Sequence, residues 1–173
     1  MGAPAPRLAR AAALGWLLAF LGISFAAAAL GATATARSVD TWYRTLRKPS
    51  WTPPDRAFGP VWTLLYTLIG LSAWLLQRRA RARPDRAAAA RRALAAWLVQ
   101  LVLNAAWSVV FFGRRQIAGA LAISAALWVA IGVALALAAR VSRWGAALLL
   151  PYWAWVGFAT ALNARIWRLN RAR

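Results

Sequence analysis

The chain is 173 residues long, enough for one domain, and 62% of it is hydrophobic with a mean hydropathy of +0.54, more apolar surface than a water-soluble fold of this size can hide. It has no Cys and no His, and its three acids, Asp40, Asp55 and Asp85, stand against 22 Lys and Arg for a formal charge of +19. Disulfides, metal or haem ligation through imidazole or thiolate, and Cys–His or Ser–His catalysis are therefore excluded, and no resident cofactor or metal is expected.

Five apolar runs are long enough, at 1.5 Å rise per residue, to cross a hydrocarbon core of roughly 30 Å. They are expected near Ala11 to Ala34, Phe58 to Leu76, Leu94 to Phe112, Ile117 to Ala139 and Trp144 to Trp167. The fold class is thus all-α: a multi-pass integral membrane protein, one five-helix bundle over residues 1–173. The first run ends in Ala34-Thr35-Ala36, the pattern of a signal-peptide cleavage site. Its apolar stretch exceeds the roughly 7 to 15 residues of a signal core, so a retained helix is expected. Gly15 with Ala19, and Gly22 with Ala26, give it small-residue spacing compatible with helix pairing in a homodimer.

The connection 37–57 holds Trp42, Tyr43, Trp51 and the prolines Pro49, Pro53 and Pro54. Each proline disfavours helix at the residue before it, and large aromatics do not belong in a free linker, so this loop is expected to pack against the bundle as a cap. In the second span Trp62 and Tyr66 stand four apart, on one helical face. The connection from Gln77 to Arg92 is rich in Arg and Ala with one Pro84 and reads as a loop facing the headgroups.

The third span carries Asn104 and Trp107 with Ser108 and Phe111, and the fifth carries Tyr152, Trp155, Ala159 and Leu162 just past Pro151. No span contains an Asp, and only Arg165, at the end of the last, is cationic, which argues against proton pumping through intramembrane carboxylates. The basic residues fall between the spans, as lipid-headgroup anchors rather than a nucleic-acid surface, and they divide evenly between the two ends. The positive-inside rule accordingly gives no orientation.

The twelve tryptophans fall into two groups. Trp16, Trp74, Trp97, Trp128, Trp144 and Trp167 lie toward span ends or among alanines, as an interfacial belt or lipid-facing packing would place them. The rest keep polar or helix-breaking company, and two readings of their stripes stay open. Asn104 and Asn163 could make interhelical hydrogen bonds inside a filled core. Alternatively the stripes line a cavity for a flat, apolar ligand, which the small Ala159 between Trp155 and Leu162 favours.

The run from Trp42 through Lys48-Pro49-Ser50-Trp51-Thr52-Pro53-Pro54 resembles the first-loop signature of the translocator protein family, the tryptophan-rich sensory proteins (TspO/MBR). Matches continue through Phe58-Gly59-Pro60-Val61-Trp62, Tyr66, Gln100, Leu103-Asn104, Trp107-Ser108, Phe111-Phe112, Leu150-Pro151-Tyr152, Trp155, Phe158-Ala159-Thr160 and Leu162-Asn163. The resemblance implies a five-helix bundle whose first loop folds over a pocket for protoporphyrin and related tetrapyrroles. The implied lining is Tyr43, Pro53, Trp62, Asn104, Trp107, Trp155, Ala159 and Leu162, with transport or sensing as the use of the pocket.

Two departures from the family pattern bear on function. The C-terminal cholesterol motif of mammalian members needs a tyrosine, and the matching stretch here, Leu162 to Arg168, has none, which argues against cholesterol as a partner. Light-dependent porphyrin degradation, reported for some bacterial members, uses two tryptophans and an Asn. Trp62 and Trp155 match the tryptophans, while Leu101 stands at the Asn position. That activity, and a structural or regulatory role toward a membrane partner, remain as alternatives to ligand binding.

Overall fold

The computed structural model describes residues 6–36 and 38–171. Arg37 and Arg173, which enter the count of basic residues, lie outside them. Five long helices form the bundle: α1 (Pro6–Ala36), α2 (Asp55–Ala82), α3 (Ala87–Ser108), α4 (Ile117–Ala139) and a fifth span divided into a short α5 (Arg143–Ala147) and a long α6 (Leu150–Asn170). No strand occurs among the described residues.

The side-chain distribution is that of a protein whose solvent is hydrocarbon. Leu18, Leu30 and Val102 are each more than 60% exposed, while Ser24, Ser72, Gln100, Asn104 and Asn163 are buried. Backbone groups are satisfied within each helix, so apolar side chains can face lipid at no polar cost. α3 packs along α4, α1 along α2, and α4 along α6, whereas α2 and α6 meet at few points. The space left between α2 and α6 becomes the candidate site.

α1 and α2 come closest at Gly70. A Cβ there would stand 2.8 Å from Leu21 Cδ2 and 3.1 Å from Leu21 Cα, so a larger residue would have to turn the Leu21 side chain aside and push its backbone back. Trp74 locks the same pair by donating its indole N–H to the Ala13 carbonyl at 3.0 Å. By contrast Gly15 and Gly22 have open space around them and lie on the exposed face of α1.

Three expectations are corrected. The Gln77–Arg92 stretch is mostly helix, because Ala and Arg are strong helix formers. Only Pro84 interrupts it, forcing Arg83 to φ −139° and ψ 88° before a single 3₁₀ turn over Pro84–Arg86. At 28 residues α2 is about 42 Å long and projects beyond a hydrocarbon core of roughly 30 Å. The fifth span is not one helix: it breaks at Leu148–Leu149, and Pro151 sits in the first turn of α6, where its missing N–H breaks no intrahelical bond. Lastly, Trp97 is 3% exposed and donates to the Ile69 carbonyl at 2.9 Å, a core residue joining α3 to α2.

Of the other tryptophans placed at the belt, Trp144 is the most exposed, and Trp128 stacks on Trp153 with centroids 5.0 Å apart, tying α4 to α6.

A tryptophan-lined cavity under the first loop

The first loop is ordered by contacts with the turn after α3 and with α6. Ser38 donates to the Phe112 carbonyl at 2.7 Å, and a π-helical turn over Val39–Tyr43 follows. Arg47 and Asn170 exchange two hydrogen bonds, Arg47 N to Asn170 Oδ1 at 3.1 Å and Asn170 Nδ2 to the Arg47 carbonyl at 2.9 Å, latching the loop to the end of α6. Trp42 and Tyr43 pack on Phe111 and Phe112, and Trp51 packs on Phe158, with ring centroids 5.6 to 6.2 Å apart. The expected cap is therefore a packed segment, held by hydrogen bonds and aromatic edges.

Beneath it lies a cavity of about 570 Å³, reached by side chains of α1, the first loop, α2, α3, the turn after α3, and α6. Tyr43, Trp62, Asn104, Trp107, Trp155, Ala159 and Leu162 all line it, whereas Pro53 does not and stands half-buried in the loop. The wall also includes residues not expected from sequence: Phe25, Ala28, Ala29, Gly31 and Ala32 of α1, and Asp55 and Phe58 at the start of α2. α1 contributes by lacking bulk, which leaves no stripe to see in a run of alanines.

A hydrogen-bonded chain crosses the floor. Tyr66 OH donates to Asn104 Oδ1 at 2.6 Å, and Asn104 Nδ2 donates to Tyr152 OH at 2.9 Å, all three residues being buried. Trp62 rests on this chain, 5.5 Å from the Tyr66 ring and 6.3 Å, edge to face, from Tyr152. On the far wall Trp107 stacks on Phe111 at 5.2 Å and donates its indole N–H to Asn163 Oδ1 at 3.1 Å. Asn163 in turn donates to the Ile117 carbonyl, joining α3, α4 and α6 at one point. Trp155 lies between Phe58 and Phe158, at 6.1 and 5.5 Å. Both sequence readings hold in part: Asn104 and Asn163 tie helices together, and the same residues face an open space.

Gln100, one turn before Asn104, is fully buried and donates to the Trp97 carbonyl, but its Oε1 has no partner among the described residues. Leu101 is 2% exposed and belongs to the core rather than to the cavity wall.

Electrostatically the wall is nearly neutral. Asp55 is the one charged residue among those lining it, and none of Arg44, Arg47 and Lys48 reaches it. Arg44 pairs with Asp40 at 2.7 Å. Lys48 donates to the Tyr43 carbonyl at 3.0 Å and holds its ammonium 4.1 Å from the centre of the Tyr43 ring. Burial pushes the Tyr43 phenol up to about 12, and the negative charge of Asp55 adds to the shift. Among the described residues no group of His, Cys, Asp or Glu stands together to hold a metal ion.

Comparison with known proteins accords with this architecture. Residues 20–168 match the TspO/MBR family. The chain is 39% identical over 154 residues to the tryptophan-rich protein TspO of Archaeoglobus fulgidus, covering 89% of this chain and 94% of that protein. It is 36% identical over 145 residues to protein CrtK of Rhodobacter capsulatus, covering 84% and 88%. With the human translocator protein it shares 36% identity over 139 residues, 75% of each chain. This chain is an integral, multi-pass membrane protein that belongs to the TspO/MBR family.

Proposed function

We propose that the cavity binds a flat, largely apolar tetrapyrrole such as protoporphyrin IX, as cargo or as a sensed ligand. The observation that carries this reading is the convergence of Trp62, Trp107 and Trp155, from three different helices, on one cavity of about 570 Å³. That volume lies within the roughly 300–1,000 Å³ of small-molecule sites, and aromatic faces suit stacking on a conjugated macrocycle. Trp107 commits its N–H to Asn163, while those of Trp62 and Trp155 meet no acceptor among the described residues. The chain has no His or Cys, and Asp55 is the one carboxylate in the wall, so the arrangement suits binding rather than acid–base or metal chemistry. The names of the relatives, sensory protein and translocator, speak of signalling and of carriage; occupancy of a pocket is the step common to both.

The test is a titration of detergent-purified protein with protoporphyrin IX, followed by quenching of tryptophan emission. Trp155→Ala removes a central aromatic contact, so its midpoint is expected at least about tenfold higher, the scale of an anchor residue worth 1.4 kcal/mol or more. An unchanged midpoint would remove the proposed site.

A further inference from the structure

We propose that Asp55 selects ligands by charge, disfavouring a carboxylate at the cavity mouth and favouring an edge that is neutral or cationic there. The inference rests on the binding reading above and narrows its ligand class. The chain holds 22 cations and three acids, so a wall residue drawn from this set would ordinarily be basic. Two of the acids are accounted for elsewhere: Asp40 is ion-paired with Arg44, and Asp85 lies in the turn between α2 and α3. Asp55 alone faces the cavity, at the loop end of α2 and close enough to Tyr43 for its field to act on the phenol.

No cation stands within ion-pair distance of Asp55 among the described residues. Its place in the first turn of α2 suits the helix dipole, but that role leaves the negative charge uncompensated toward the cavity. The rest of the wall is aromatic, aliphatic or neutral polar, so Asp55 is the feature there most able to distinguish ligands of equal shape and different charge. Asp55 is itself exposed at the mouth, so a ligand carboxylate brought there meets like charge that water screens only in part. A dicarboxylate tetrapyrrole must therefore turn its acidic edge away or bind less tightly.

The experiment uses three probes of one shape: protoporphyrin IX, its dimethyl ester, and a diamide derivative ending in two ammonium groups. Each is titrated against the purified full chain, wild type and Asp55→Asn, by tryptophan quenching. Removing the charge is expected to tighten the diacid about fivefold, weaken the dicationic probe about fivefold, and leave the ester within about twofold, the scale of one charge pair across a partly solvated gap of several ångströms. Asp55→Glu should match wild type with all three, and Asp55→Ser, which also keeps an N-terminal helix residue able to hydrogen-bond, should repeat the Asp55→Asn pattern. If all three probes shift together, or none shifts, Asp55 does not read charge and the inference is overturned while the binding reading stands. If no probe quenches wild type saturably, the binding reading itself falls, and this inference with it.

Discussion

Replacing Asn104 with Ala should destabilise the fold through the middle of the site. Asn104 accepts from Tyr66 at 2.6 Å and donates to Tyr152 at 2.9 Å, and Tyr152 is completely buried. Truncation deletes both bonds, each contributing about 1 kcal/mol, and leaves two phenol groups facing apolar wall, for an expected loss of ~2–3 kcal/mol. Hydrogen bonds between membrane helices average nearer ~0.6 kcal/mol where the polar groups find other partners, which sets the lower bound. Tyr66→Phe alone removes one bond and should cost ~1 kcal/mol, and a double-mutant cycle with Asn104→Ala should return a coupling energy of similar size. Unfolding in mixed dodecylmaltoside and SDS micelles, followed by circular dichroism, measures these differences. Because Trp62 rests on Tyr66 and Tyr152, the same variant should also weaken protoporphyrin binding. A wild-type unfolding midpoint for Asn104→Ala would refute the reasoning, since it would mean that the two hydroxyls find other partners without cost.

Three further outcomes follow from the packing and the loop. Gly70→Val forces a branched side chain against the Leu21 backbone and should destabilise the protein by ~1–3 kcal/mol, whereas Gly22→Ala, with open space around it, should be neutral or slightly stabilising in the same assay. Trp97→Phe keeps a ring in the core but loses the bond to the Ile69 carbonyl, with an expected cost of ~1 kcal/mol or more in unfolding and little change in ligand midpoint, since Trp97 does not line the cavity. The fold holds Tyr43 neutral, with its pKa at about 12 against an ordinary 10.0, so its contribution to stability is complete below pH 10 and is lost as pH rises from 10 to about 12. Tyr43→Phe should show a smaller alkaline fall in melting temperature than wild type; an identical fall in the variant would show that Tyr43 does not contribute to it.

The spans were legible because a membrane helix must be apolar along its whole length, and α4 runs from Ile117 to Ala139 as hydropathy alone placed it. Boundaries outside the hydrocarbon were harder. The arginines after Gln77 signal exposure, but exposure and helix are compatible where the helix projects past the bilayer, and only Pro84 marked the true turn. Trp97 reads as lipid-facing because its neighbours are alanines, yet it is buried. The better signal was periodic: Ala93, Trp97, Gln100, Asn104 and Ser108 fall on one buried face of α3.

Within the site, Trp62, Asn104, Trp107 and Trp155 stand out in sequence because aromatic and polar groups at helical spacing are conspicuous among Ala and Leu. Pro53, implied by the resemblance alone, stands half-buried in the loop and does not reach the cavity. Ala28, Ala29 and Ala32 escaped notice because they form wall by what they lack, and Asp55 because a lone acid next to two prolines looks like an ordinary helix start.

The most direct test of the central claim is a titration of the purified wild-type chain with protoporphyrin IX in the presence and absence of excess cholesterol. Saturable, single-site quenching of tryptophan emission that cholesterol leaves unchanged is the expected result. Quenching that rises linearly without saturation would contradict a tryptophan-lined tetrapyrrole site, and saturable quenching that cholesterol abolishes would contradict the exclusion of cholesterol from it.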